Sequence, residues 1–427
     1  MKLPLELLTF LNFLVVLQAA GQLMTQIFVG NYLSGYSEDN MPDTASPMLS
    51  PMDDWSEGKG IFYGGDGGLA KYASINIPGS VWGNTLGTVY LVDTDNFRIR
   101  AISAEGIITT LGGTGMNTPF TPDGAAFTSM SLSNLQALSG DSNGNIYFFD
   151  TNRLRRYVIS SSSVQTLAGN GSYGYNGNNV SASSVHFSFP RAIWVNTMGD
   201  VYITDANNQR VRLYSKATGR VWDFAGNGSS RYSGDNVLAT MTTLWNPYDV
   251  WGDTVGNVFI SDYENARIRR VLLNGIITTF AGNGEIGIGS DGVSATSVPI
   301  GHPSSVCGDS LGNVYFSEWS PCRVRIVTSS GSDYSNAIIS TIIGTTGCSN
   351  KYNPGLQTAT QAIDIVLSIW VDSIGSIYTV EPSSNMIRKA FYLDSPTTLP
   401  EADPSQNSTQ QLSNHANYPP RSLRYTQ

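Results

Sequence analysis

Short apolar runs alternate with Gly-, Asn- and Asp-rich breaks along most of the chain, and the alternation has a fixed long period. In the stretch 256–292, GNVFISDYENARIRRVLLNGIITTFAGNGEIGIGSDG, β-type runs of five or six residues are separated by turn residues. Its first half recurs as GTVYLVDTDNFRIR from Gly87, GNIYFFDTNRLRR from Gly144, GDVYITDANNQRVR from Gly199, GNVYFSEWSPCRVR from Gly312 and GSIYTVEPSSNMIR from Gly375. The starts fall 57, 55, 57, 56 and 63 residues apart. Such a period, filled with short strands, predicts either a propeller or a solenoid.

Closure separates the two. Each unit reads as an inner strand (247–253), a second (257–261), a third (267–272) and an outer one (276–281). The first three occur six times, but the last set ends near Leu393 with no outer strand after it. An unpartnered outer strand stands at the other end of the chain, where QIFVGNYLSG from Gln26 matches ITTFAGNGEIG. Pairing of Ile27–Val29 beside Ile387–Tyr392 gives six complete blades and removes the open edges that a β-chain must otherwise protect. The expected fold is therefore all-β, a six-bladed propeller closed by an N-terminal outer strand completing the last blade.

The pairing of GNVYxxDxxNxRIR with a following IxTxAGNGxxGxxGDG resembles the NHL-repeat family of six-bladed propellers over roughly Gln26 to Leu393. YWTD-type propellers share the GxVYxTD run, as in Gly199–Asp205, but would not be expected to carry the AGNG box. The resemblance implies a fold and leaves activity open, because the family includes RNA binders, an amidating lyase, sensor domains and cell-surface proteins.

Outside the repeat, residues 1–21 read as a signal peptide, with an apolar run from Leu7 to Leu17 before Ala19, Ala20 and Gly21. The propeller is expected over 22–394, with an acidic, Pro-containing insertion at 36–62. A Pro-, Ser- and Gln-rich tail over 395–427 reads as disordered. The sequons at Asn170, Asn179, Asn227 and Asn407 fit an export route, although the first and third also belong to the AGNGS form of the repeat. Only 13% of residues are charged and the net charge is −9, which argues against nucleic acid, since phosphate binding needs clustered Lys and Arg. The expected location is secreted or on the extracellular surface, with no stable membrane span after signal cleavage. Oligomeric state is not written in the sequence.

Cys322 falls in a turn between second and third strands and Cys348 in the link to the next blade; both leave the same end of the ring, so a disulfide between them is sterically allowed. Cys307 replaces a Trp of the inner strands and reads as a small buried hydrophobe. Recurrent polar residues read as architecture. Asp93, Asp150, Asp205, Asp262, Glu318 and Glu381 end the second strands, where each can accept turn N–H groups and a guanidinium such as that of Arg98, Arg210, Arg267 or Arg323. Asp66, Asp123, Asp235 and Asp291 of the GDG boxes read as turn or cap residues, with structural calcium as the alternative. Asn84, Asp141, Asn196, Asp253, Asp309 and Asp372 read as Asx turns.

Function is sought where the repeat is broken, because the fold does not dictate those residues. Against inner strands dominated by small residues and by Trp82, Trp194, Trp251 and Trp370, the departures are Gln136, Arg191, Tyr248 and Asp249, with His302 just before its Pro. All lie at the start of an inner strand, around one channel mouth, and would suit a small polar ligand; the alternative is local pairing, such as Arg191 with Asp249. A three-His zinc site like that implied by the lyase branch lacks ligands, since the chain holds only His186, His302 and His415. The residues thus point to a non-catalytic binding propeller for a protein or glycan, without cofactor. The alternative is a metal-dependent lyase or lactonase-type hydrolase working in the channel.

Overall fold

The computed structural model describes residues 23–30, 63–118, 120–328, 334, 336–344, 348–349, 357–358 and 362–392. The signal-like start, the 36–62 insertion, the tail, Asn407 and His415 lie outside the described residues.

Six antiparallel sheets form a six-bladed propeller. The inner strands are Pro78–Gly83, Leu138–Gly140, Pro190–Val195, Pro247–Gly252, Pro303–Gly308 and Ser368–Val371. Each contacts the next, and the last contacts the first, so the ring is closed around a channel. Blade 4 shows the pattern, with Pro247–Gly252, Val258–Asp262, Arg267–Val271 and Ile276–Ala281 meandering outward. The expected strand limits hold to within one residue. Four blades also gain a two-residue fifth strand, such as Val237–Leu238 paired on Ile276–Ala281, which covers the outer edge.

The second strands explain the apolar runs. Val258–Asp262 is buried at every position, because both sheet faces are packed against neighbouring blades. The cores accordingly lie between blades: Phe259 and Phe280 of blade 4 pack with Phe316 and Ile339 of blade 5. Full burial of one such side chain is worth roughly 1.5–3 kcal/mol.

Closure follows the expected route. Leu23–Val29 pairs antiparallel with Met386–Tyr392, with Leu23 opposite Tyr392 and Val29 opposite Ile387, and Gln357–Thr358 covers its far side. The N-terminal strand is thus the outer strand of blade 6, although it precedes blade 1 in the chain.

The acids ending the second strands are architectural, but the guanidinium that meets them is generally two residues beyond the one expected. Asp262 is fully buried; it accepts the Trp245 N–H at 2.8 Å and the Asn265 amide at 2.9 Å, and its cation is Arg269 at 3.4 Å. Arg267 lies at the turn end of the strand, so its side chain runs past the sheet to the carbonyls of Asn265 and Asn283. Arg100, Arg155 and Arg212 repeat the role of Arg269 on Asp93, Asp150 and Asp205, and Arg388 meets Glu381. In blade 5 the longer Glu318 reaches both Arg323 and Arg325.

The same arginines reveal the task of the GDG acids. Asp235 lies 2.9 Å from Arg269 and accepts the Thr279 hydroxyl at 3.1 Å; Asp66, Asp123 and Asp291 bond Arg100, Arg155 and Arg325 likewise. They are counter-ions that staple the linking loop to the sheet, beyond turn formation. In three of these four boxes an aromatic ring three residues earlier covers the pair of guanidinium groups, as Tyr232 lies 3.7 Å from Arg267 and 5.1 Å from Arg269; the fourth has Ile288 there. The AGNG box is explained by the same contacts. Gly282 has φ +85° and passes the Ala266 carbonyl too closely for a Cβ, while Gly284 leaves room for the Arg267 guanidinium.

Cys322 and Cys348 form a disulfide with Cα atoms 5.0 Å apart, joining the turn to the link within blade 5. Cys307 is a buried free thiol, and burial pushes its pKa well up.

Candidate functional site

The inner strands surround a channel cavity of about 490 Å³, which reaches the end of the ring where these strands start. Trp82, Trp194, Trp251 and Trp370 line its sides, half-buried, because each inner strand turns that column toward the channel. Gln136, Arg191, Tyr248 and Asp249 all border it, together with Trp319.

Three of the five expected residues are joined in one stack by a residue that the inner strands do not contain. The Arg191 guanidinium lies 3.8 Å from the Tyr248 ring centre; Tyr248 stacks on Tyr263 at 4.1 Å, and Tyr263 stacks on His302 at 4.6 Å. Trp319 stands edge-on to both tyrosines at 6.4 Å. The stack crosses blades 3, 4 and 5, so neighbouring sheets fix its geometry. Tyr263 and Trp319 follow the acids that end their second strands, where blades 1 to 3 have Thr94, Thr151 and Ala206. That shift from small to aromatic is a break in the repeat as clear as Tyr248, at a turn instead of a strand.

Burial raises the pKa of Tyr248 and pushes Tyr263 up to about 12, so both phenols stay neutral near pH 7. His302 has its Nδ1 3.1 Å from the Tyr263 carbonyl, which fits an Nδ1–H donor, and its own carbonyl accepts the Trp319 N–H at 2.8 Å.

Asp249 is not paired with Arg191. Its carboxylate accepts the Ser305 hydroxyl at 2.6 Å, the Val306 N–H at 2.9 Å and the Val250 N–H at 2.7 Å. Ser305 in turn accepts the Ile369 N–H at 3.1 Å, so the chain of bonds links blades 4, 5 and 6. Burial outweighs these donors and brings the carboxyl to about 6. Gln136 lines the same cavity from blade 2 and is not part of the stack.

Among the described residues no group of three His, Cys, Asp or Glu is arranged to hold a metal ion. His186 is removed from the mouth; its N–H bonds the Asn176 side chain in the link before blade 3. Asn170, Asn179 and Asn227 are exposed on these links, and Asn170 and Asn227 close local turns through their side-chain oxygens. No described helix is long and apolar enough to cross a membrane.

No protein-family model matches the chain, and no curated protein matches it. Solved structures do. A protein of unknown function from Bacteroides thetaiotaomicron is similar over 87% of this chain and 76% of its own, with TM-score 0.57 and 15% identity. An auxiliary nutrient binding protein from the same organism shares 12% identity over 87% of this chain and 77% of its own, TM-score 0.38. A gluconolactonase from Xanthomonas campestris shares 12% over 75% and 87%, TM-score 0.46. The first likeness supports the propeller fold and nothing finer; the other two carry no argument.

Proposed function

We propose that this chain is an exported, NHL-like propeller that binds a glycan or protein ligand at the channel mouth without catalysing its conversion. The observation that carries this reading is the Arg191–Tyr248–Tyr263–His302 stack, whose Arg191 and Tyr248 border a cavity of about 490 Å³ and whose Tyr263 and His302 stand behind them. A volume of this size, walled by indoles together with polar groups such as Gln136, Arg191 and Asp249, is that of a ligand site. Aromatic faces locked by neighbouring sheets recognise shape at small entropic cost.

The metal-dependent alternative fits less well. The acid and the imidazole nearest the mouth have structural duties: Asp249 accepts three hydrogen bonds and His302 is stacked with one ring nitrogen engaged. A ligand set would have to dismantle the bonds that join blades 4 to 6.

Glycan and peptide arrays probed with the full chain and with its Tyr263→Ala and Trp319→Ala variants test the proposal. The expected result is a defined set of hits lost in folded variants. Hits that persist in both variants would move the site elsewhere, and about one tightly held metal per chain with a chelator-sensitive activity would favour the enzyme. Export is tested by a glycosidase-sensitive mass shift assigned to Asn170, Asn179 or Asn227.

A further inference from the structure

The other arginines that line the blade interiors have partners. Those at the Arg269 position meet carboxylates, and those at the Arg267 position meet loop carbonyls or, as for Arg210 and Arg323, a carboxylate. The Arg191 Nε is buried without a partner, as are those of Arg100, Arg155 and Arg269, but Arg191 differs from them in that among the described residues no other atom of its guanidinium has an ion pair or hydrogen bond either. What it has instead are two ring faces, Tyr248 at 3.8 Å and Phe189 at 4.5 Å.

Arg191 is half-buried, with its Nε shielded from water; a guanidinium so placed without an anion is costly, and cation–π contact offsets only part of that cost. Desolvation lowers its pKa from the ordinary value, yet an arginine keeps its proton at neutral pH. The nearest inner-strand acid cannot serve as counter-ion, because Asp249 is committed to Ser305, Val306 and Val250. Arg191 also borders the cavity that the Trp column walls. A cation held in a cavity without its anion is a cation kept for a ligand.

We propose that Arg191 anchors a carboxylate borne on a sugar ring, so that the ligand of the channel mouth is an acidic saccharide of the uronic-acid class. The proposal rests on the channel mouth being the binding site and names what binds there. A planar guanidinium matches a carboxylate through two parallel hydrogen bonds. The indoles of Trp194 and Trp251, further along the same cavity wall, offer electron-rich surface to the polarised C–H groups of a pyranose. A peptide carboxylate would be expected to seek backbone donors as well, and the inner-strand N–H groups here are largely used in pairing with the second strands.

The test is a tryptophan-fluorescence titration of the full chain with sodium glucuronate and with glucuronamide, which differ in charge and little in shape. N-acetylphenylalanine serves as the peptide-like carboxylate. Glucuronate is expected to saturate at least about 10-fold more tightly than its amide, since a hydrogen bond to a charged group is the stronger kind. Arg191→Leu should abolish that preference while its melting profile stays native, and Arg191→Lys should retain part of it. Equal binding of acid and amide, both lost in Trp251→Ala, overturns the anchor and leaves the channel-mouth site standing. Tighter binding of N-acetylphenylalanine than of glucuronate overturns the saccharide assignment. No saturation by any of the three at tens of millimolar overturns the anchor, and array hits sensitive to Tyr263→Ala would then show whether the wider reading survives.

Discussion

The Trp82 indole of blade 1 lies against the backbone of Gly140 in blade 2, in the space that a side chain there would need. Trp194 covers Gly252, Trp251 covers Gly308, and Trp370 covers Gly83 across the closure of the ring in the same way. Where the Trp column instead holds Ser139 or Cys307, the next blade has Val195 or Val371 in place of glycine. Volume is therefore matched pairwise around all six interfaces, as close packing requires. Gly140→Val is expected to destabilise the protein by about 1–3 kcal/mol through overpacking. Adding Trp82→Ser should recover much of that loss and reproduce the Ser139–Val195 pair. Urea unfolding of both single variants and the double variant measures the coupling, and additive losses would contradict the pairing.

Blade 3 moves a carboxylate from one strand to another. Its box holds Asn178 where blade 4 has Asp235, and its outer strand holds Asp223 where blade 4 has Thr279. Asp223 lies 2.8 Å from Arg212 and 3.3 Å from Arg210, and its N–H donates to Asn178 at 2.7 Å. Both blades thus supply two acids around the buried arginine, Asp205 and Asp223 in one, Asp262 and Asp235 in the other. Asp223→Thr alone should cost about 1–3 kcal/mol, because it removes one of the two acids around a buried charge and leaves Arg212 to Asp205. The Asn178→Asp/Asp223→Thr double variant should recover most of this by recreating the blade 4 arrangement. Chemical denaturation decides, and a double variant no better than the single one would break the equivalence.

The clasp is the next exposed point. Gly30 ends it with φ +103°, so close to the Asn385 carbonyl that no Cβ fits. Gly30→Val should lower the melting temperature by several degrees, since an unfavourable backbone region and a clash add together. Deleting Gln22–Asn31 should do more, because it removes a ladder of bonds worth about 1 kcal/mol net each. An unchanged melting temperature after the deletion would remove the clasp from any account of closure.

Fold and closure were legible because they depend on repetition: six copies of a strand–turn–strand pattern and one displaced outer strand leave few alternatives. The partnership of the acids was legible only in part. Asp262 and Arg267 are opposite each other in register, yet the side chain that turns inward belongs to Arg269, and that depends on depth beneath the loop. The Trp–Gly rule was present in the letters but links residues of different repeats, so aligning columns hides it until the blades are placed side by side. At the mouth, four of the five repeat-breaking residues do border the cavity, whereas Tyr263 and Trp319 escaped notice because they occupy turns. The separation of Asp249 from Arg191 follows from packing of three consecutive blades, which no single repeat contains.

Asp249 gives the clearest pH signature, because it is a buried carboxyl with hydrogen-bond donors and no cation. Its pKa is raised from 3.8 to about 6. A folded state that holds its proton more tightly than the unfolded chain is favoured by low pH. The stability from this group is therefore fully present below pH 4 and lost as pH rises through 6. A shift of that size amounts to about 3 kcal/mol, at roughly 1.4 kcal/mol per unit. Asp93 and Asp205, also brought to about 6 by burial, add slopes of the same sign, so the whole-protein curve cannot isolate one residue. Comparison with Asp249→Asn cancels those terms. The amide is expected to weaken the bonds to Ser305 and Val306 and to lower stability most at acid pH. The advantage of the native protein over the variant should then shrink by about 3 kcal/mol between pH 3.5 and pH 7.5. Guanidinium unfolding at several pH values measures it, and a difference independent of pH would place the Asp249 titration at its ordinary value, the same in the folded and unfolded chain.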